Sequence, residues 1–313
     1  MPETVAIVKC SNYDQQAVDN ALNELLDYLG GISQYVKPGN LVLIKPNLLK
    51  AACVGDIPST HFTVIKSIID QVQSVGGKPI IGDSPALGNV STVARRSGLL
   101  EVADQMGVPI INWSTSVKIT PKPHYSMRSY KIAKEVIDAD VVINVPKFKS
   151  HKQMQLTVAI KNLFGCVPGK LKSRLHLWCG KNRRTFGKML VEYAELVAPQ
   201  LTIVDGILAM EGPGPGSGSS YPLGILTGGT DVVALDRVHC EIVGLPAEEF
   251  DIIQAAREIG FGVADLNQIE ILGHGLCDVS VSNFEFPPMI PVNFSPFRIV
   301  TSALKHLWVK QIA

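Results

Sequence analysis

The chain has 313 residues, 46% of them apolar and 18% charged, and a formal net charge of +1 at neutral pH. That length fills one large α/β domain or two lobes with ample core, and the composition is that of an ordinary globular protein. The near-neutral balance gives no reason to expect a nucleic-acid or membrane partner, and a local basic cluster on such a body favours a small anion over a long polyanion.

In chain order, strand-like and helix-like segments alternate. Residues 5–10 (VAIVKC) are a β-rich run. Val18, Leu22, Leu25, Leu26 and Leu29 then recur at helical spacing until Gly30-Gly31 ends the helix. Residues 41–46 (LVLIKP) are nearly all apolar, as a buried parallel strand requires. Thr60 is an N-cap for a helix reaching Val75, stopped by Gly76-Gly77. Residues 79–85 form a strand and its exit, followed by one helix to about Met106 and a strand over 108–112. Residues 139–147 (ADVVINVPK) are a strong buried strand. A short helix over TVAIKNLF and another over 186–196 precede a strand, 201–207, that ends in Asp205. Residues 212–219 (GPGPGSGS) are a loop, and 212–222 marks a soft lobe boundary or an active-site cover within a single domain of 1–313. A strand over LGILTGG, helices over 231–243 and 251–259, and a strand over 268–273 complete the pattern. The repeated order predicts a mostly parallel sheet with helices on both faces, with room for two lobes around a cleft.

The opening residues, MPETVAIVKC, lack the regions of a secretory signal, and no apolar run is long enough to span a bilayer. The six cysteines are scattered and none forms CxxC. A cytoplasmic protein with reduced thiols, and no built-in [4Fe-4S] cluster, is therefore expected.

Chemistry-bearing residues follow the apolar strands: Lys45 and Asn47, then Asp83 and Ser84, then Lys147, Lys149 and His151, then Asp205. Open α/β sheets bind ligands beyond the carboxyl ends of their strands, at a topological switch point. If extended, Lys147 and Lys149 present both ammonium groups to one side; an anion clamp and a solvated strand end are equally compatible with that. His151 sits in a turn among cations that lower its pKa and keep it neutral, fit to move a proton. Lys161, ten residues on, lies in an apolar helix and is buried, snorkelling or facing the cleft; desolvated, it would be a nucleophile. Asn162 and Lys170 stand beside it around the Pro168-Gly169 turn as further ligand-binding candidates. His176 is either a packed residue beside Trp178 or a metal ligand, and His61 either caps its helix or ligates a metal. EGPGPGSG lacks the spacing of either nucleotide-binding glycine loop.

IKPNLL, PSTHFTVI, GDSP, ADVVINVPKFKSH, TVAIKNLFG, IVDGI and GTDVVALD occur in that order between Lys45 and Asp236. The ordered set resembles the family of domain of unknown function 362. Many members of that family carry a ferredoxin-like module, so the resemblance implies a separate ferredoxin-like electron donor as a partner and iron–sulfur-associated electron transfer as an alternative role. A second resemblance, over His151, Lys161, Pro168-Gly169 and His176, is to the N-terminal domain of lactate racemase. It implies a nickel–pincer cofactor: His151 catalytic, Lys161 bonding the cofactor, His176 on the metal. The second catalytic histidine of those enzymes has no counterpart, Ser84 lying in the comparable region. The reading is an enzyme for a small carboxylate or phosphate, with a metal or metal-containing cofactor in play. A non-catalytic anion- or metal-binding module is the remaining alternative.

Overall fold

In a computed structural model, residues 2–51, 57–86, 88–169 and 171–293 are described. Strands β1 (Glu3–Lys9), β2 (Leu41–Pro46), β3 (Lys78–Gly82) and β4 (Ile110–Ile111) alternate with helices α1 (Gln15–Tyr28), α2 (Phe62–Ser74), α3 (Val90–Arg96) and α4 (Leu99–Gln105). A hairpin, β5 (Ser116–Ile119) and β6 (Tyr130–Ala133), and helix α5 (Lys134–Asp138) lead to β7 (Val141–Val145), β8 (Lys147–His151) and β9 (Gln155–Thr157). Then come α6 (Ala159–Asn162), α7 (Leu171–Cys179), α8 (Arg183–Val197), β10 (Leu201–Glu211), β11 (Ser219–Tyr221) and β12 (Ile225–Gly229). Helices α9 (Val232–Ile242) and α10 (Asp251–Ile259), strand β13 (Ile269–Gly273) and helix α11 (Leu276–Val279) follow.

The main sheet runs β13-β1-β12-β10-β7-β2-β3-β4, and along it only β12 pairs antiparallel to its neighbours. Side chains of successive strand residues go to opposite faces. Val42 and Ile44 join Val141 and Ile143 in one core with α1 to α4, whereas Leu43 and Val142 join the other with α6 and α8 to α10. Both faces are thus covered, as parallel sheets demand. From β2 the chain proceeds through β3 and β4 to one edge, while β7, on the other side of β2, leads back to β10. The carboxyl ends of β2 and β7 are therefore the switch point.

Several local expectations change. The helix expected up to Met106 is two, α3 and α4, separated at Gly98, whose φ of 78° is left-handed. The cap of α2 is His61 rather than Thr60; its ring accepts the Thr63 N–H. His151 ends strand β8 and does not sit in a turn, because β8 pairs with both β9 and β10. Asp205 lies in the middle of β10, which runs on to Glu211 as a hairpin with β11. The β5–β6 hairpin and α7 were not legible as elements. Residues 212–218 form the connection in the β10–β11 hairpin, where the Ser150 hydroxyl donates to the Gly212 carbonyl at 2.9 Å.

Asp231 caps α9: one carboxylate oxygen accepts Val233 N–H at 2.7 Å and Ala234 N–H at 3.0 Å, the other Val263 N–H at 2.8 Å. Asp231→Ala should cost about 1–2 kcal/mol, read as a lower urea midpoint with unchanged m-value; an unchanged midpoint would show the cap to be dispensable.

Candidate functional site

Lys45 and Asn144 face each other across β2 and β7. Proline at 46 keeps Lys45 extended at the strand end, so its ammonium reaches beyond the sheet. There it meets Asp83 at 2.8 Å, the Pro46 carbonyl at 2.7 Å and the Asn162 side-chain oxygen at 3.2 Å. Asp83 also accepts the N–H groups of Leu48 and Ser84. The amide of Asn162 donates to Asn144 at 2.8 Å, and its oxygen accepts from Asn47 at 2.7 Å. Every donor of Lys45 is answered, and the ion pair is buried, with side-chain exposures of 1% and 5%. Gly165 makes this approach possible, since a Cβ there would lie 2.1 Å from Asp83 and 2.5 Å from the Lys45 ammonium.

A second buried pair stands beside it. Lys147 meets Asp205 at 3.1 Å and the Tyr13 hydroxyl. Tyr13 donates to the other Asp205 oxygen at 2.7 Å and stacks on His61 at 3.8 Å. Asp205 also accepts the His61 N–H. Burial, followed by the charge of Asp205, pushes the Tyr13 phenol far above its ordinary range. The His61 Nδ1 accepts from Thr63 N–H, which leaves the proton on Nε2. Through Nδ1 the ring caps α2, one of the two roles that the sequence offers His61. Burial holds its pKa at about 4.

Three further lysines have no carboxylate within ion-pair distance among the described residues. Lys149, 1% exposed, donates to Asn47 at 2.7 Å and the Pro58 carbonyl at 2.6 Å. Burial, then Lys161, lowers its pKa well below the ordinary lysine value. Lys172 donates to the Ser84 carbonyl, and burial lowers it to about 8. Lys161 makes no hydrogen bond among the described residues; its ammonium lies over the rings of Phe164 and Phe186 at 5.8 and 5.6 Å. Burial, then Lys172, lowers it to about 7. His151 lies among Lys161, Lys149 and His176, and burial ahead of these charges keeps it neutral. Its Nδ1 accepts the Gln153 N–H at 3.1 Å. With Nδ1 accepting, the neutral ring presents Nε2–H as a donor. His176 holds the opposite tautomer, because Nδ1 faces the Val292 carbonyl at 3.0 Å; its pKa falls to about 3 through burial, then Lys161.

A family model described as domain of unknown function (DUF362) matches residues 42–241. The chain belongs to the DUF362 family. Thylakoid-associated protein sll1697 of Synechocystis sp. is 37% identical over 311 residues, covering 99% of this chain and 96% of that protein. The lactate racemase apoprotein of Thermoanaerobacterium thermosaccharolyticum superposes with a TM-score of 0.51 over 78% of this chain at 11% identity; the chain spans 57% of that structure's length. At that identity the likeness is one of fold. The α/β architecture and the distant structural resemblance expected from the sequence are both present. No helix among the described residues is long and apolar enough to cross a membrane.

In this DUF362 member the structure brings Lys45, Asn47, Asp83, Lys149 and Asn162 into one hydrogen-bonded network. Ser84 joins through its N–H, which donates to Asp83 at 2.8 Å, and its hydroxyl accepts the Gly169 N–H at 3.2 Å. Lys170 lies outside the described residues. Glu211 accepts the Glu285 N–H and no lysine among the described residues. No three His, Cys, Asp or Glu side chains among the described residues are placed to share a metal ion. Surface depressions of about 250 and 340 Å³ lie at the amino end of the strands, around Glu3 and Thr230, and no lysine or histidine lines them. Within the charged cluster Lys45, Lys147, Lys149 and His151 are buried.

Sequence reasoning missed the parts played by Tyr13, Asn144, Lys172 and Asp236. Asp236 is fully buried on α9, and one of its oxygens accepts the Ala159 and Ile160 N–H groups that begin α6. Its other oxygen has no partner among the described residues, and burial raises its pKa to about 8. An aspartate within the apolar run VVALDRVHC was the available sign of it. For Lys172 the sign was regional: residues 141–191 hold eleven Lys or Arg and no Asp or Glu.

Gly165→Ala should force apart the Lys45–Asp83 pair and cost roughly 3–5 kcal/mol, the usual loss when a buried pair is broken. Chemical denaturation measures it, and a wild-type midpoint would mean the turn yields freely. A second expectation concerns pH. Lys161 falls from an ordinary 10.5 to about 7, so between these values the unfolded chain holds a proton that the folded chain does not. Stability contributed by this group therefore rises with pH through that window. In Lys161→Met the stability–pH curve should be flatter there than in wild type; equal slopes would put the ammonium in water.

Proposed function

We propose that this protein is an enzyme acting on a small carboxylate- or phosphate-bearing substrate held by Lys149, Lys161 and Lys172. One observation carries the reading: these three buried or part-buried amines have no carboxylate partner among the described residues, while Lys45 and Lys147 do. Buried charge without a partner is costly, and a bound anion removes that cost. Lys45 and Lys147, whose charges Asp83 and Asp205 already answer, frame the site instead of gripping the ligand. Lys161, partly deprotonated near neutral pH, supplies a base or nucleophile. The Nε2–H of His151 would donate to negative charge developing on the substrate. The reading puts the protein in the cytoplasm, where its thiols stay reduced.

A metal-containing organic cofactor is compatible with the same cluster. The Nδ1–H of His176 is held by a carbonyl, the arrangement that orients an imidazole whose other nitrogen ligates a metal. The Lys161 amine has the reactivity needed for covalent attachment. When bound, such a group would supply an electron sink for the reacting carbon. Lys161 would hold it and His176 would orient its metal.

The test is calorimetric titration with a panel of small carboxylates and phosphates. Lys149→Met and Lys161→Met should stay folded, as circular dichroism checks, and lose affinity by roughly 3–5 kcal/mol, the loss on removing one partner of a buried charge pair. Variants that bind as tightly as wild type would contradict the assignment.

A further inference from the structure

Helix α6 is a single turn, Ala159–Asn162, and one turn does not hold itself in water. Within it the Asn162 N–H donates to the Val158 carbonyl at 3.2 Å. At its start Val158 offers no capping side chain. The N–H groups of Ala159 and Ile160 go instead to one oxygen of Asp236, at 2.8 and 3.4 Å, from a helix 77 positions further along the chain. The Ala159 carbonyl accepts from the Asn144 amide at 3.1 Å. Side chains of α9 and β7 thus fix α6 through its backbone.

Asp236 is a costly cap. It is fully buried, its second oxygen has no partner, and no cation pairs with it among the described residues. A serine or asparagine at position 158 would cap the turn locally without burying a carboxyl. What the distant group adds is a tie between α6 and α9. The side chain whose place depends on that tie is Lys161. Its amine makes no hydrogen bond among the described residues and lies over Phe164 and Phe186, so its position follows from that of the α6 backbone. The titratable groups that share its electrostatic surroundings are Lys149, His151, Lys172 and His176. All are basic and none is on α9, so Asp236 reaches Lys161 through the backbone and not by charge.

We propose that Asp236 is a positioning residue for Lys161: by holding the start of α6 it sets where that amine stands in the lysine cluster. The proposal rests on the reading of Lys161 as a ligand-facing, reactive amine. Asp236 touches neither the paired nor the unpaired lysines, so its part is to place the group that reacts.

The experiment measures the apparent pKa of Lys161 in the full chain from the pH dependence of its acylation by acetic anhydride, read by peptide mass spectrometry with exposed Lys118 as the internal reference. Wild type should titrate near 7. Asp236→Val keeps an apolar group of similar size in the core and removes the acceptor. In it the value should move by about one unit or more toward that of an ordinary lysine, as α6 frays and the amine meets water. Asp236→Asn keeps an acceptor and carries no charge, so it should titrate with wild type. Circular dichroism checks that each variant is folded; should the valine variant not fold, Asp236→Ser, which also cannot reach the α6 N–H groups, is read the same way. A merely structural cap would lower the melting temperature of the folded variant and leave the Lys161 pKa where it was, which would overturn the proposal. So would an asparagine variant that shifts as far as the valine one, or a wild-type Lys161 that titrates like Lys118. Titration of wild type and Lys161→Met with inorganic phosphate reads anion binding separately. Equal binding by those two would count against the functional reading, whereas the response of Lys161 to Asp236→Val decides the positioning role.

Discussion

Burying an ammonium group is tolerable only when something negative or strongly dipolar meets it, and this constraint organises the carboxyl end of the sheet. Two lysines satisfy it with carboxylates, Lys45 with Asp83 and Lys147 with Asp205. Each carboxylate also takes backbone N–H groups, from Leu48 and Ser84 in one case and from His61 in the other. Those bonds fix the loops after β2 and β3 and the start of α2. The pairs are thus structural fasteners that hold the switch point together. Lys149 and Lys172 reach only neutral oxygens, and Lys161 only aromatic faces. Burial lowers the pKa of all three, and lowers that of Lys147 too despite its carboxylate.

The same arithmetic makes α6 the most consequential short element. It carries Lys161 and Asn162, begins on the buried carboxyl of Asp236, and runs on into the turn where Gly165 closes over Lys45 and Asp83. Asn162 touches the paired network and Lys161 belongs to the unpaired lysines, so one helical turn joins the two parts of the cluster.

Much of this was legible in the sequence. Continuous apolar runs announced β2 and β7, and a proline after Lys45 announced an extended exit, because parallel strands and X-Pro dipeptides leave clear local signatures. The DUF362 motifs then placed the polar residues at the strand ends. What stayed hidden depends on contacts between distant residues. Tyr13 meets Asp205 across 192 positions, and nothing near Tyr13 signals it. The tautomers of His61, His151 and His176 follow from which backbone group faces each Nδ1. They decide which nitrogen of each ring accepts and which donates, and no local pattern shows that. Whether a lysine is paired is likewise a question of geometry: Lys147 and Lys149 look equivalent on paper, yet only Lys147 has a carboxylate.

The central claim is that the unpaired amines await an anion, and proton linkage tests it most directly. A bound anion favours the charged form of each depressed lysine, so binding must draw protons from solution. Calorimetry of ligand binding near pH 8, repeated in buffers of different ionisation enthalpy, measures that uptake. The account predicts net proton uptake by wild type, reduced in Lys161→Met. Binding that takes up no protons, or the same number in both proteins, would contradict it.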